Sequence, residues 1–206
     1  HLVNTLGLNV VLASPTGEQA IAVAHRLLEA LHPSQIHFHL SDCDTSRLNP
    51  LLHRPKDRPA PTQSDGNAHG VAYVRTIASV ALSSTWLMGV PEVLVIDEAY
   101  QATFSWGAAA ARGVQQVILV GDPGQIGPVV TVNTSGWDGF RLAPHRRAPE
   151  AFLHHKHTRI TIDKTYRIGP ASVDVLSSLY DFPFVSARPD RHVAFDRRPL
   201  AEIGQI

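Results

Sequence analysis

The sequence predicts an α/β fold built on a mostly parallel sheet flanked by helices. Three observations predict it. Val93, Leu94, Val95 and Ile96 form an apolar run without polar alternation, and Val117, Ile118, Leu119 and Val120 form another. Runs of this kind fit strands buried on both faces, as in a parallel sheet. Stretches of helical periodicity alternate with the apolar runs, which implies right-handed βαβ units. Each run also ends in polar residues: Asp97 and Glu98 after the first, and Gly121, Asp122, Pro123, Gly124 and Gln125 after the second. Residues just past such strands lie at the carboxyl edge of the sheet, where open α/β folds bind ligands.

Taken in order, residues 1–6 read as the tail of a helix stopped at Gly7, a common helix terminator. Residues 9–13 form a short apolar strand, and Ser14, Pro15, Thr16 and Gly17 its terminal loop. Ile21, Ala24, Leu27, Leu28 and Leu31 recur at the spacing of an amphipathic helix over 18–31. Pro33 closes it, and 36–40 read as a second strand. Residues 53–70, rich in Pro with Gly, Ser, Asp and Asn, read as a flexible loop inside the domain. A strand over 71–74, helix over 77–88, strand over 93–96, Ala-rich helix over 101–112 and strand over 116–120 follow. Residues 131–149 read as irregular, 151–157 as a short helix, 159–162 as a strand and 171–180 as a helix. The segment 181–206 reads as a tail.

A chain of 206 residues is long enough for one domain with a real core. Eighteen basic residues balance eighteen acidic ones, which argues against a simple nucleic-acid-coating protein. The single cysteine, Cys43, excludes an intramolecular disulfide and suits a reducing cytoplasm. No apolar run approaches the length of a membrane span.

The residues at the two strand ends suggest a nucleoside triphosphate site. One carboxylate can hold Mg²⁺, the next can orient or deprotonate a water, and a neutral amide can sense a γ-phosphate. Asp97, Glu98 and Gln125 are those candidates. An acidic strand end capping the next helix, and a plain strand-to-loop turn, are the simpler readings of each alone. Thr16 and Thr76 suit hydrogen bonds to a nucleic-acid backbone, which position a strand without reading its sequence. They suit a helix cap and turn chemistry equally well. Trp86, Trp106 and Trp137 are potential stacking residues, with core packing the commoner role. His154, His155 and His157 lack partners at metal-ligand spacing and read as a solvated face, as do His37 and His39.

At this point the chain resembles the superfamily 1 helicases. Asp97, Glu98, Ala99 and Tyr100 are similar to their motif II, in which Gln101 also occurs. Gly121 through Gln125, with Pro128 soon after, is similar to motif III. Thr165, Tyr166 and Arg167 resemble motif IV, and the strand and loop ending in Ser14, Pro15 and Thr16 resemble motif Ia. Arg75 and Thr76 stand where the family has another strand-to-loop contact.

The resemblance implies a RecA-like P-loop NTPase domain, the first motor domain of a helicase or translocase, across residues 1–206. ATP and Mg²⁺ would be its cofactors. Single-stranded DNA or RNA and a second RecA-like domain of the same parent would be its partners, with the chain a monomer. Asp97 would hold the metal and Glu98 would be the catalytic base. Gln125 would couple the γ-phosphate to the nucleic-acid side, and Arg167 would be the arginine finger. Ser14, Pro15, Thr16 and Thr76 would touch the nucleic-acid backbone.

One departure stands out. Gly17 is followed by Glu18, Gln19 and Ala20, and no Gly-Lys-Ser/Thr sequence occurs anywhere in the chain. The phosphate loop requires that signature. The expectation is that it lies upstream of His1 and that the fragment alone hydrolyses ATP poorly. Two other classes remain open: a nucleic-acid- or protein-binding module of helicase-like fold without turnover, and an ATPase that is not a helicase.

Overall fold

A computed structural model describes residues 1–39, 48–52, 70–83, 90–152, 157–189, 194–195 and 198–199. The chain forms two compact units, His1–Lys156 and His157–Ile206.

In the first unit, five strands form one sheet in the order β2-β3-β1-β4-β5. They are β1 (Val10–Ser14), β2 (Ile36–Phe38), β3 (Ala72–Thr76), β4 (Val93–Ile96) and β5 (Gln116–Leu119). Every neighbouring pair runs parallel, with Val10 opposite both Ala72 and Val93, and Val93 opposite Gln116. Side chains alternate between the two faces of such a sheet. Val11, Ala13, Tyr73, Leu94 and Ile96 enter one core cluster, against helices α2 (Ile77–Leu82), α3 (Phe104–Ala110) and α4 (Ala148–Phe152). Val10, Ala72, Val74 and Val93 enter the other, against α1 (Gly17–Leu27) and Val3. Two apolar faces, each covered by helix, explain why the strands read as unbroken apolar runs.

Helix α1 follows from its sequence. Thr16 and Gln19 form a reciprocal capping box at its start, and Ala20, Ile21 and Ala24 bury the inner face. Helix α3 is capped by Thr103, and Gly107 lets the Ala148 side chain of α4 approach closely.

Several expectations need correction. Residues 1–6 form a turn, with Thr5 N–H donating to His1 O (2.8 Å), rather than the end of a helix. The Ala-rich segment is divided: a 3-10 turn over Ala99–Gln101 precedes α3, because Thr103 caps a new helix at that point. Helix α4 begins at Ala148, three residues earlier than expected, with Pro149 in its first turn, a position where its missing N–H costs nothing. Residues 159–162 are not a strand; pairing begins at Lys164. Strand β5 was expected to be buried on both faces. Gln116 is exposed, Val117 to Leu119 are half-buried and Val120 is 48% exposed. Val117 and Leu119 pack against one core cluster and Ile118 against the other, but β5 stands at the end of the described sheet order and is only partly covered on each face. Residues 40–47, 53–69, 84–89 and 153–156 lie outside the described residues, and with them Cys43, Trp86, His154 and His155.

In the second unit, β6 (Lys164–Thr165) pairs in parallel with β7 (Val185–Ser186), and α5 (Pro170–Leu176) lies between them in sequence. A short antiparallel pair, β8 (Ala194–Phe195) with β9 (Arg198–Pro199), completes it. Among the described residues no helix is long and apolar enough to cross a membrane.

The contrast between β4 and β5 predicts unequal costs of truncation. Leu94→Ala, in a fully buried site, should destabilise the fold by about 3 kcal/mol. Ile118→Ala, half-buried on the edge strand, should cost roughly 1 kcal/mol. Urea midpoints of the two variants check this; equal costs would contradict the edge assignment.

Candidate functional site at the carboxyl edge of the sheet

The parallel register places the chemistry. Ala13 lies opposite Ile96, Ser14 opposite Thr76, and Ile96 opposite Leu119. One residue further on, Thr76, Ser14, Asp97 and Val120 therefore stand along one edge of four adjacent strands. Neighbouring strands are spaced by about 4.8 Å, so Thr76 and Asp97 are about 10 Å apart along that edge.

Asp97 is locked to the sheet by its own amide, which donates to Ala13 O (2.9 Å). Its Oδ1 accepts the Glu98 N–H (3.1 Å). Both residues are half-buried. Glu98 has φ 51 and ψ 43, the left-handed region, and is the non-glycine residue with positive φ among those described. A side chain there is strained. The strain reverses the chain, so that Ala99 N–H reaches Val120 O (2.8 Å) and Gln101 N–H reaches Glu98 O (2.8 Å).

That reversal brings the two acidic turns together. Gly121 packs so closely on the Ala99–Gln101 turn that a Cβ there would lie 2.9 Å from Ala99 N and 3.2 Å from Tyr100 Cδ2. Only glycine fits without displacing backbone. Asp122 then shapes the next turn, its Oδ1 accepting Gly124 N–H (2.9 Å) and its carbonyl accepting Gln125 N–H (3.2 Å). The result is a side-chain bond between the two segments, Gln101 Nε2 donating to Gln125 Oε1 (2.9 Å). Arg147 holds the turn from behind, donating from Nη1 to Pro123 O (3.1 Å). A cavity of about 560 Å³ opens beside it, lined by Gln101, Gly124, Gln125, Ile126, Gly127 and Pro128 among others. Asp97 and Glu98 flank the cavity's turn but do not line it.

The structure thus brings Asp97, Glu98 and Gln125 to one edge. It adds Gln101 and Arg147, which sequence reasoning did not place in the site. Gln101 had a signal, its position after the acidic pair; Arg147 had none, since its contact spans 24 residues. Arg167 is exposed in the second unit, its amide donating to Thr165 Oγ1 (3.2 Å) in the bend after β6.

The backbone-contact candidates divide. Ser14 is fully buried, with no hydrogen-bond partner for its Oγ among the described residues. Pro15 is half-buried and Thr16 is exposed. Thr16 Oγ1 accepts Gln19 N–H (3.3 Å), and Thr76 Oγ1 accepts Ser79 N–H (3.2 Å), so both threonines cap helices. Beside Thr76, Arg75 is buried, donates from Nη1 to Ser83 Oγ (3.0 Å) and lies 6.0 Å from the Tyr73 ring centroid. Burial lowers its pKa from the ordinary guanidinium value, against a smaller opposing effect of Tyr73. Among the described residues no group of three His, Cys, Asp or Glu side chains forms a closed metal site. A single half-buried carboxylate such as Asp97 suits Mg²⁺, which keeps several waters and takes one or two protein carboxylates.

The family described as viral superfamily 1 RNA helicase core domain matches the sequence over residues 28–187. That span includes Thr76, Asp97, Glu98, Gln101, Gln125 and Arg167 and begins after Ser14 to Thr16. No curated protein sequence matches. Among solved structures, the helicase nonstructural protein 10 of an arterivirus, in complex with DNA, is similar in fold. It has a TM-score of 0.54 and 16% sequence identity, with 90% of this chain covered and 36% of that one. The chain therefore spans about a third of that protein's length.

Two outcomes follow from the local geometry. Glu98→Asn, which tolerates the left-handed region, should raise stability by about 1 kcal/mol, while Glu98→Gln should leave it unchanged; thermal unfolding distinguishes them. Thr16→Ala should cost about 1 kcal/mol through loss of the cap, and Thr16→Ser should cost little. A loss of strand binding in Thr16→Ser at unchanged stability would separate a contact role from the cap.

Proposed function

The chain belongs to the viral superfamily 1 RNA helicase core family, and from that premise we propose that it is the nucleotide-hydrolysing core of an ATP-driven motor on single-stranded nucleic acid. The observation that carries the reading is the delivery of Asp97 and Glu98 at the end of a buried parallel strand, bonded through the Ala99–Gln101 turn to the Gln125 segment.

Asp97 is the residue that would hold Mg²⁺. Its Oδ1 is engaged by the Glu98 amide, which fixes the carboxylate's direction. The bound ion would supply charge neutralisation on phosphate oxygens. Glu98, one residue further from the sheet, accepts the proton of an attacking water at its carboxylate. Its left-handed backbone conformation sets it apart from Asp97, whose backbone belongs to the strand end. Gln125 donates or accepts through its amide, and its bond to Gln101 ties its position to the carboxylate strand. Arg167, exposed on the second unit, carries a permanent charge and a forked set of donors suited to phosphate oxygens. Thr16 and Thr76, at the same sheet edge, serve the nucleic-acid backbone. The likeness to a helicase solved with DNA supports a nucleic-acid partner, and the family description favours RNA.

The test is ATP hydrolysis by the intact protein that contains this chain, with and without single-stranded DNA or RNA. Turnover should rise with one of the two polymers. Glu98→Gln should lower it by about a hundredfold or more, and Arg167→Ala by roughly a thousandfold. Full turnover by Glu98→Gln would overturn the assignment. No turnover by the wild type would make the chain a binding module.

A further inference from the structure

Away from the carboxylate edge, one surface segment gathers aromatic and basic side chains that the motor reading does not use. After the Gln125 turn the chain runs irregularly to a 3-10 turn over Ser135–Trp137. Trp137 N–H donates to Thr134 O (2.8 Å), and Phe140 N–H donates to Trp137 O (3.1 Å). The two rings meet edge to face, centroids 5.8 Å apart at 71°. They are 48% and 59% exposed, although side chains of this size gain most from burial.

The pair borders a cavity of about 210 Å³, also lined by Asp138, Ala143, His145 and Arg146. His145 Nδ1 is buried there and has no hydrogen-bond partner among the described residues. Arg146 Nη1 donates to Arg141 O (3.2 Å), which bends its guanidinium across the loop. Arg141 itself is exposed. The cavity beside the rings is lined by an arginine and a histidine against one aspartate, with a second arginine, Arg141, and Leu142 exposed in the same loop. An apolar protein partner would meet unpaired charge here, whereas a nucleic-acid strand offers a π face to the rings and phosphates to the arginines.

The segment is also rigidly founded. Phe104 N–H donates to Arg146 O (2.7 Å), Ser105 N–H to Pro144 O (3.0 Å) and Ala148 N–H to Ala102 O (2.9 Å). Thr103 and Arg147 form an antiparallel bridge. Arg147 is the residue that also holds Pro123 of the Gln125 turn.

We propose that Trp137 and Phe140, with Arg141 and Arg146 beside them and His145 in the cavity, form a stacking site for an unpaired nucleobase of a single-stranded nucleic acid. The site rests on the motor reading and adds to it a base contact that Thr16 and Thr76 do not supply. His145 lines the cavity beside the rings, and stacking on Trp137 tolerates any base.

The intact protein that contains this chain is titrated into fluorescently labelled oligothymidylate, oligouridylate and an abasic strand of equal length, as wild type, Trp137→Ala, Trp137→Phe and Phe140→Ala, with circular dichroism on each. Trp137→Ala should weaken binding of the base-bearing strands roughly tenfold. It should leave abasic binding unchanged, and Trp137→Phe should retain most of the affinity. If Trp137→Ala does not fold, Phe140→Ala makes the same comparison. The thymidylate and uridylate arms separate a DNA from an RNA occupant. Wild-type affinity in Trp137→Ala, or equal weakening toward the abasic strand, would overturn the stacking site while leaving the motor reading intact. An intact wild-type protein that binds no strand would overturn both.

Discussion

The structure depends on the in-register parallel pairing of β1, β4 and β5. Because Ala13, Ile96 and Leu119 share one level of the sheet, the polar residues that follow them emerge side by side. The Asp97 amide bonds to Ala13 O, the Val120 amide to Ile96 O, and the Ala99 amide to Val120 O. Each link passes the position of one strand end to the next. A slip of one residue in β4 would turn the apolar set of Leu94 and Ile96 out of its core and would carry both carboxylates off the edge. The burial of Leu94 and Ile96 is therefore also what fixes the site.

Above that register the backbone is arranged for position at some cost in stability. Glu98 occupies a conformation that glycine or asparagine would adopt more easily. The strain is sustained by the bonds on either side of it, from Ala99 to Val120 and from Gln101 to Glu98. Gly121 is the counterpart: its missing side chain lets the second turn close onto the first. The strained turn at Glu98 and the close packing of Gly121 on Ala99 and Tyr100 bring Gln101 within hydrogen-bond distance of Gln125.

Much of this was legible in the residues, for stated reasons. Strand β4 was read with its observed bounds, because an apolar run closed by two carboxylates leaves little room for error. Helix α1 was read from its spacing and came out shorter, since the residues after Leu27 close in turns that periodicity does not register. The burial of β5 was misread because an apolar strand has the same composition in the middle of a sheet as at its end; only the strand order distinguishes them. The Gln101–Gln125 and Arg147–Pro123 contacts each join residues 24 apart and leave no local pattern. The split at Thr103 was available in principle, as a threonine before an apolar run is a helix start.

The position of β5 has a consequence for motion. A strand paired along one side opens at a lower free energy than one paired along both. β4 has β1 and β5 as neighbours, whereas β5, within the described sheet, has β4 alone. Within the described sheet the carboxylates therefore hang from a strand paired along both sides and the Gln125 turn from a strand paired along one. Hydrogen exchange at β5 amides would report local openings that β4 does not share. Each such opening carries Gln125 away from Gln101, with Arg147 as the tether that limits how far the turn departs. Within the described sheet the two halves of the site thus differ in how their strands are held as well as in chemistry.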